Sequence, residues 1–438
     1  MKVETVTVLG ANGAMGCSVS AIFASLGGAK VYMVCRKMED AEKAAAKART
    51  FVKDQSLKLE LIPKSYDSLK ECITNSDLVF ESVSESQAIK KTVYTMFAPF
   101  VKPGTIIGSG TSGFSINELS RNYCDKFQNS FMGIHFFNPP STLTLCEVIP
   151  SEYTDRALMA KVKTYLADVL ERAVVEVKDA PGFMGNRIGF QFMNEAMQLA
   201  DTFKDKGGID YVDGLMGEFS GRKAAPIFIA DFVGLDVHKA IVDNILQLTN
   251  DYVHDTFVLP AYVQKLIDDN KLGDKKSGGG MYQTIKNPDG SRIQNVYDIN
   301  AKNYRLKAKY DFPFAQAMTE ALQDENYDKA FDILISDKSP EADLCLKILM
   351  RHALYGICIT KDIGEDLHSA DTVMVTGYNW IPPLAIVDAF GGAQKFKKLA
   401  YDRLDKDFLA QADIDTILKD IPQSKYDYRS FLKIKKKA

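Results

Sequence analysis

The stretch that decides the fold is TVTVLGANGAMGCSVSAIFASL, Thr5 to Leu26. Thr5 to Leu9 alternates and is β-branched, the pattern of a strand. The turn Gly10-Ala11-Asn12-Gly13-Ala14-Met15-Gly16 follows, and then Val19, Ile22, Phe23 and Leu26 recur with helical period. Strand, glycine-rich turn and helix, in that order, make a dinucleotide cradle. Glycines let backbone amides approach a pyrophosphate, and the helix N-terminus favours the anion. The plain alternative is an ordinary tight turn. The order of elements predicts an α/β domain with a doubly wound sheet, in which Gly10, Asn12, Gly13, Ala14, Met15 and Gly16 bind cofactor.

At 438 residues the chain has room for two or three domains. Hydrophobic residues make up 46% and charged residues 25%, as in ordinary globular proteins. A formal net charge of -3 gives no electrostatic case for nucleic acid or an anionic membrane. The seven cysteines form no CxxC pair and no metal spacing with the five histidines, so reduced thiols and a cytoplasmic location are expected. MKVETVTVLG already reads as a strand, leaving no room for a signal peptide. No apolar run approaches the roughly 20 residues of a membrane span. Lys435, Lys436 and Lys437 read as a solvated end.

A second informative stretch is FMGIHFFNPPSTLTLCEVIP, Phe131 to Pro150. An apolar strand delivers His135 to a turn at Asn138, Pro139 and Pro140, and Glu147 follows twelve residues after the histidine. Histidine can accept and return a proton near neutrality. A carboxylate on its second ring nitrogen would fix the tautomer and stabilise the imidazolium. The alternative is a buried histidine satisfied by nearby backbone.

His135-Phe136-Phe137-Asn138-Pro139 and Glu147-Val148-Ile149 resemble the signature of the L-3-hydroxyacyl-CoA dehydrogenase family, oxidoreductases of fatty-acid β-oxidation. The resemblance implies a Rossmann-type domain over residues 1–182 and two all-helical C-terminal domains over 183–305 and 306–438. Asp77 to Val83 is similar to the family's D-L-V-x-E-A-V. By that match Glu81 and Glu85 supply its acids and Lys91 the helix cation beside the nicotinamide ribose. TIIGSGTSGFSI, residues 105–116, places Ser112 at the family's substrate-binding serine, with Gly110 where the family has Asn. Asp179 to Arg187 resembles D-x-P-G-F-x-x-N-R, which implies that Asn186 offers its amide to the substrate carbonyl; a helix-start cap is the alternative.

Ile229 to Asp236 after Ala225-Pro226, and Ile386 to Gly392 after Pro382-Pro383, resemble one family C-terminal element twice over. Asp274 to Tyr282 resembles the close of the first copy, and Asn287 to Arg305 reads as a polar linker. The second copy would start near Asp311, with Leu344 to Ile359 as its long helix. It lacks the lead-in that carries Asn186, so it reads as structural. Single-copy relatives dimerise through this domain. Tandem copies can pack on each other, so a monomer or a homodimer is implied.

The chain departs from its family in three further places. Its turn is G-x-x-G-x-x-G, one residue longer than usual, so Gly13 takes the close-approach role while Asn12 bulges. The Asp that ends the second strand is replaced by Cys35-Arg36-Lys37. Either Arg36 and Lys37 read a 2′-phosphate, favouring NADP over the family's NAD, or they are a solvated pair. Residues 38–75 are also shorter than the family's CoA-holding excursion. The expected reaction is reversible hydride transfer between NAD(P) and a 3-hydroxyacyl-CoA. His135 would be the base, Glu147 would orient it, and Ser112 and Asn186 would position substrate oxygens. No metal is expected. Two rivals are a dehydrogenase of a small free hydroxy acid or carnitine-like alcohol, motivated by the short excursion, and a non-catalytic lambda-crystallin-like protein. Retention of all four site residues speaks against the second.

Overall fold

Apolar, β-branched runs build eight strands in the first half of the chain: β1 Thr5–Leu9, β2 Lys30–Cys35, β3 Leu61–Ser65, β4 Leu78–Glu81, β5 Ile106–Ser109, β6 Phe131–Phe136, β7 Leu145–Pro150 and β8 Ala173–Glu176. In this computed structural model, which describes residues 2–54 and 56–435, they form one sheet in the order β3-β2-β1-β4-β5-β6-β7-β8. Lys436 and Lys437 of the expected cationic end lie outside the described residues.

Strands β3 to β6 pair in parallel, β7 runs antiparallel to β6, and β8 is parallel to β7. The connections carry helices α1 Ala14–Ser25, α2 Met38–Thr50, α3 Leu69–Thr74, α4 Gln87–Phe97, α5 Ile116–Tyr123 and α6 Arg156–Thr164. Strand β1 lies between β2 and β4, so the winding reverses there, and a crevice opens beyond the carboxyl ends of the strands. Burial on both faces explains why β2 reads as a nearly unbroken apolar run and why even Thr7 of β1 is buried. Phe23 of α1, Phe80 of β4 and Phe136 of β6 meet edge to face in the core, at 5.7–6.5 Å between centroids.

The chain divides into two compact units. The first runs through Phe183 and includes Ile363–Glu365; the second takes Met184–Asp362 and the chain from Asp366 on. The three-residue return joins the first unit by a bridge between Val177 and Gly364 and by the Lys178 amide donating to the Ile363 carbonyl at 2.9 Å. The break expected after residue 182 meets this division at Phe183. The second unit shows no division near residue 305.

That unit is organised on α7, Gly185–Thr202, and on the helix Pro340–Ile363, which extends the expected Leu344 to Ile359 at both ends. One device occurs in it twice. The buried Asp213 carboxylate accepts from the Ile227 and Phe228 amides that open the helix Pro226–Val233. Buried Asp371 accepts from the Leu384 amide that opens Pro383–Ala389. Each carboxylate thereby satisfies orphan amides at a proline-led helix start.

One expectation is corrected. Asn287 to Arg305 is no linker but most of a three-stranded antiparallel sheet: β9 Tyr282–Lys286, β10 Arg292–Asp298 and β11 Asn303–Leu306. Polar composition hid the strand whose Val296 and Tyr297 are buried, and Asp289-Gly290 is a hairpin turn signal. The region behind the first domain is therefore helical except for this sheet.

Burial pushes the Asp371 carboxyl up to about 7, against hydrogen bonds from Ser424 and the Leu384 amide. A folded-state value above the ordinary one means that its contribution is full below about pH 4 and is lost as pH rises towards 7. The melting temperature of wild type relative to Asp371→Asn should therefore fall across that window. A difference independent of pH would show that Asp371 does not titrate with folding.

Candidate active site

Strands β6 and β7 place His135 directly opposite Glu147 in antiparallel register. Residues so paired have side chains on the same face within contact, and the Glu147 Oε2 lies 2.8 Å from His135 Nδ1. Both side chains are buried. A carboxylate accepts, so Nδ1 donates to it and Nε2 is left with the lone pair. Nε2 faces Ser112 Oγ at 3.0 Å, in the loop after β5. The rings of Phe137 and Phe183 stand 4.8 and 5.5 Å from the imidazole and wall it from water. Glu147, His135 and Ser112 are thus one hydrogen-bonded line.

The serine loop is held from below. Glu85 Oε1 accepts from the Thr111 hydroxyl at 2.5 Å, the Ser112 amide at 2.9 Å and the Gly113 amide at 2.8 Å. Its other oxygen pairs with Lys90 Nζ at 3.1 Å. Burial opposes its charge, but Lys90 and the hydrogen bonds from Thr111 and Gly113 prevail and hold its carboxyl below the usual range. Lys90 also meets both oxygens of Glu81, at 2.9 and 3.0 Å. Beyond the loop, Asp179 accepts from the Ser115 hydroxyl and the Ile116 and Asn117 amides, fixing the start of α5.

Two cofactor expectations are corrected here. Lys91 is exposed; the cation facing both acids is Lys90, one residue earlier, because the phase of α4 turns Lys90 inward beside Val93 and Tyr94. Glu81 is fully buried, with its oxygens engaged by Lys90, Ser109, Tyr94 and the Val83 amide, so it braces the strand ends rather than facing a ligand. Asn186 is the second residue of α7 and is buried in the second unit. Sequence reasoning missed the Glu85 clamp, Lys90 and Phe183. The spacing from Glu85 to the start of α4 was the available signal for the lysine.

The glycine turn has the features of a dinucleotide cradle. At Gly10 the backbone is left-handed, φ +79°, and a Cβ would lie 2.5 Å from the Ser82 carbonyl oxygen. A Cβ at Gly16 would lie 2.5 Å from the Gly10 carbonyl oxygen. The fold itself requires these two glycines. Gly13 is different: it is exposed at the N-cap of α1, and a Cβ there would meet nothing nearer than 3.4 Å. Space is left over Gly13, beside the first-turn amides of Ala14, Met15 and Gly16, and Asn12 is exposed on the same turn. At the end of β2, Cys35 is buried; burial raises its thiol, with the Asn12 amide opposing. Arg36 and Lys37 beside it are exposed.

A sheet reversing at β1, a glycine turn on that strand and a histidine–carboxylate pair at the same edge define a dinucleotide-dependent oxidoreductase scaffold. The NAD-binding domain model of 3-hydroxyacyl-CoA dehydrogenases matches residues 5–180, and the family's C-terminal domain model matches residues 182–284. A "Probable 3-hydroxyacyl-CoA dehydrogenase" of Deinococcus radiodurans is 31% identical over 301 residues, covering 65% of this chain and 84% of that protein. The chain belongs to the 3-hydroxyacyl-CoA dehydrogenase family. A Bacillus subtilis protein described in the same words is 28% identical over 341 residues, covering 77% of this chain but 42% of its own length. A "Putative fatty acid oxidation complex trifunctional enzyme" of Rickettsia felis is 26% identical, covering 86% of this chain and 52% of its length. The chain thus spans about half the length, or less, of these two relatives. The solved 3-hydroxybutyryl-CoA dehydrogenase of Escherichia coli shares the fold across 93% of this chain and 96% of its own, with TM-score 0.69 at 20% identity. Among the described residues no helix is long and apolar enough to cross a membrane.

The glycine geometry separates folding from binding. Gly16→Ala should lose roughly 1–3 kcal/mol of stability, since backbone must move. Gly13→Ala should stay within about 0.5 kcal/mol of wild type, yet bind dinucleotide about tenfold more weakly. Thermal melts and NADH fluorescence titration measure the two effects; undiminished binding by Gly13→Ala would place the pyrophosphate elsewhere.

Proposed function

We propose that the chain interconverts a 3-hydroxyacyl-CoA and a 3-oxoacyl-CoA with a nicotinamide dinucleotide. The observation that carries this reading is the Glu147–His135–Ser112 line. A substrate 3-hydroxyl beside Ser112 Oγ gives its proton to the lone pair of His135 Nε2 while the C3 hydrogen departs with its electron pair. When bound, the nicotinamide supplies the two-electron acceptor for that step. Glu147 Oε2, 2.8 Å from Nδ1, stabilises the imidazolium that forms. Such general-base help contributes roughly 10²–10⁴-fold in rate. Phe137 and Phe183 keep water from the imidazole, and Glu85 holds the Ser112 amide so that the hydroxyl stays in register. In the reverse direction His135 returns the proton to the 3-oxo oxygen.

His135→Gln and Glu147→Gln should each lower kcat for acetoacetyl-CoA reduction by two or more orders of magnitude, on the order of the general-base contribution. The double variant should lose little beyond the worse single one, because groups acting as a unit are non-additive. Multiplicative losses would separate the two residues. Activity confined to free 3-oxo acids, with none on the CoA thioester, would favour the small hydroxy-acid reading.

The cofactor reading leans to NADP. Cys35 removes the acid that would repel a 2′-phosphate, and exposed Arg36 and Lys37 flank it. An arginine fork gives charge-assisted hydrogen bonds about twice as strong as neutral ones, weakened by solvent and salt at an exposed site. NADPH should be used at least as well as NADH. Cys35→Asp with Arg36→Gln should swing the preference to NADH mainly through KM, since the contact is remote from the reacting carbon. A wild type that strongly prefers NADH, with a ratio untouched by the double change, would make Arg36 a solvated residue.

A further inference from the structure

Burying a guanidinium without a counter-charge is costly, and the second unit contains one. Arg222 is 1% exposed, and its Nη1 donates to the Ser220 carbonyl at 3.2 Å. Its Nε and Nη2 have no partner among the described residues, and no carboxylate pairs with it. The same holds for both ring nitrogens of His352 and for the Trp380 indole nitrogen, each 0% exposed. These groups share one place. The guanidinium covers the Phe192 ring at 4.5 Å and lies 5.5 Å from Trp380, and the His352 ring is 4.6 Å from Phe192 and 5.8 Å from Trp380.

The guanidinium and indole offer only donors here, and the imidazole one donor and one acceptor. Donors in excess, one positive charge and no water-exposed face are the inverse of a cation site. We propose that a small monovalent anion of chloride size binds inside the second unit between Arg222, His352 and Trp380. A single cation calls for a single negative charge, and rings packed within 6 Å leave no room for a large ion. Burial drives the imidazole well below its usual value, so it is neutral and turns one N–H to the site. The nearby Cys345 thiol is not the counter-charge, since burial pushes it up to about 12. A water molecule could take hydrogen bonds here but could not offset the charge.

The position gives the ion a role. Arg222 stands four residues before Pro226 of one copy, Trp380 three before Pro383 of the other, and the two pair as an antiparallel bridge. The Ile381 amide donates to the Gly221 carbonyl at 2.9 Å beside it. Equivalent stretches of the two copies meet there, and the anion ties them across the seam.

Trp380 is the one tryptophan of the chain, so its fluorescence reports on this site alone. The full chain is melted in chloride–gluconate mixtures at constant ionic strength. Because unfolding releases the ion, linkage shows even where exchange in the folded state is slow. The expected result is a saturable rise in melting temperature, roughly 2–4 °C at tenfold excess over Kd, and saturable quenching of Trp380 when bromide, a heavy-atom quencher close to chloride in size, replaces chloride. Arg222→Met should remove both; if that variant does not fold, the two wild-type titrations decide. A melting temperature equal in both salts, or one drifting linearly without saturation, with Trp380 unquenched by bromide, overturns the site.

Discussion

Everything at the candidate site depends on the reversal of one strand. Had β7 continued the parallel winding, its connection from β6 would have been a crossover of a dozen or more residues. Instead a short turn brings the chain straight back, and His135 and Glu147 become cross-strand partners. Their separation is then set by the sheet and not by a loop, which is why a 2.8 Å contact can be held inside a dry environment. The parallel pairing of β5 with β6 brings the Ser112 loop to the same edge as His135, and β1 and β4 deliver the glycine turn and the Glu81 brace there. The Glu147–His135–Ser112 line and the glycine turn are consequences of one sheet edge.

Much of this was legible in the sequence because it rests on short-range patterns. The glycine turn, the His–Glu spacing and the serine turn are local, and each declared its strand and its edge. What was hidden is set by phase and by distance. Lys90 and Lys91 are adjacent cations, and the rotation of α4 decides which one is buried. The β9–β11 sheet was masked by polar residues between Asn287 and Arg305, although Asp289-Gly290 marked the turn. In sequence Glu85 read as one of the acids beside the nicotinamide ribose. Its partners, Thr111 to Gly113, come from 26 to 28 residues away and could not be read from spacing. Arg222, His352 and Trp380 are far apart in the chain, and neither burial nor lack of partners leaves a trace in sequence.

The Glu81–Lys90–Glu85 cluster shows why a costly arrangement sits beneath the serine. Burying an ion pair returns little net stability, because desolvation offsets the attraction. Here two acids face one lysine, and the excess charge is met by the Ser109 and Tyr94 hydroxyls on Glu81 and by loop donors on Glu85. Three of the donors to Glu85 come from consecutive residues, Thr111, Ser112 and Gly113. Those groups would be satisfied equally well by water if the loop were free to move. What the cluster adds is a single position for the loop, since any shift strips donors from a carboxylate whose charge Lys90 has fixed in place. Glu85 is itself partly open to solvent, so each contact is worth less than in a dry site, and it is the convergence of three loop donors on one oxygen that favours a single loop position. The serine that faces His135 Nε2 is therefore positioned by the charged cluster beneath it, and the ends of β4 and β5 carry that constraint to the imidazole.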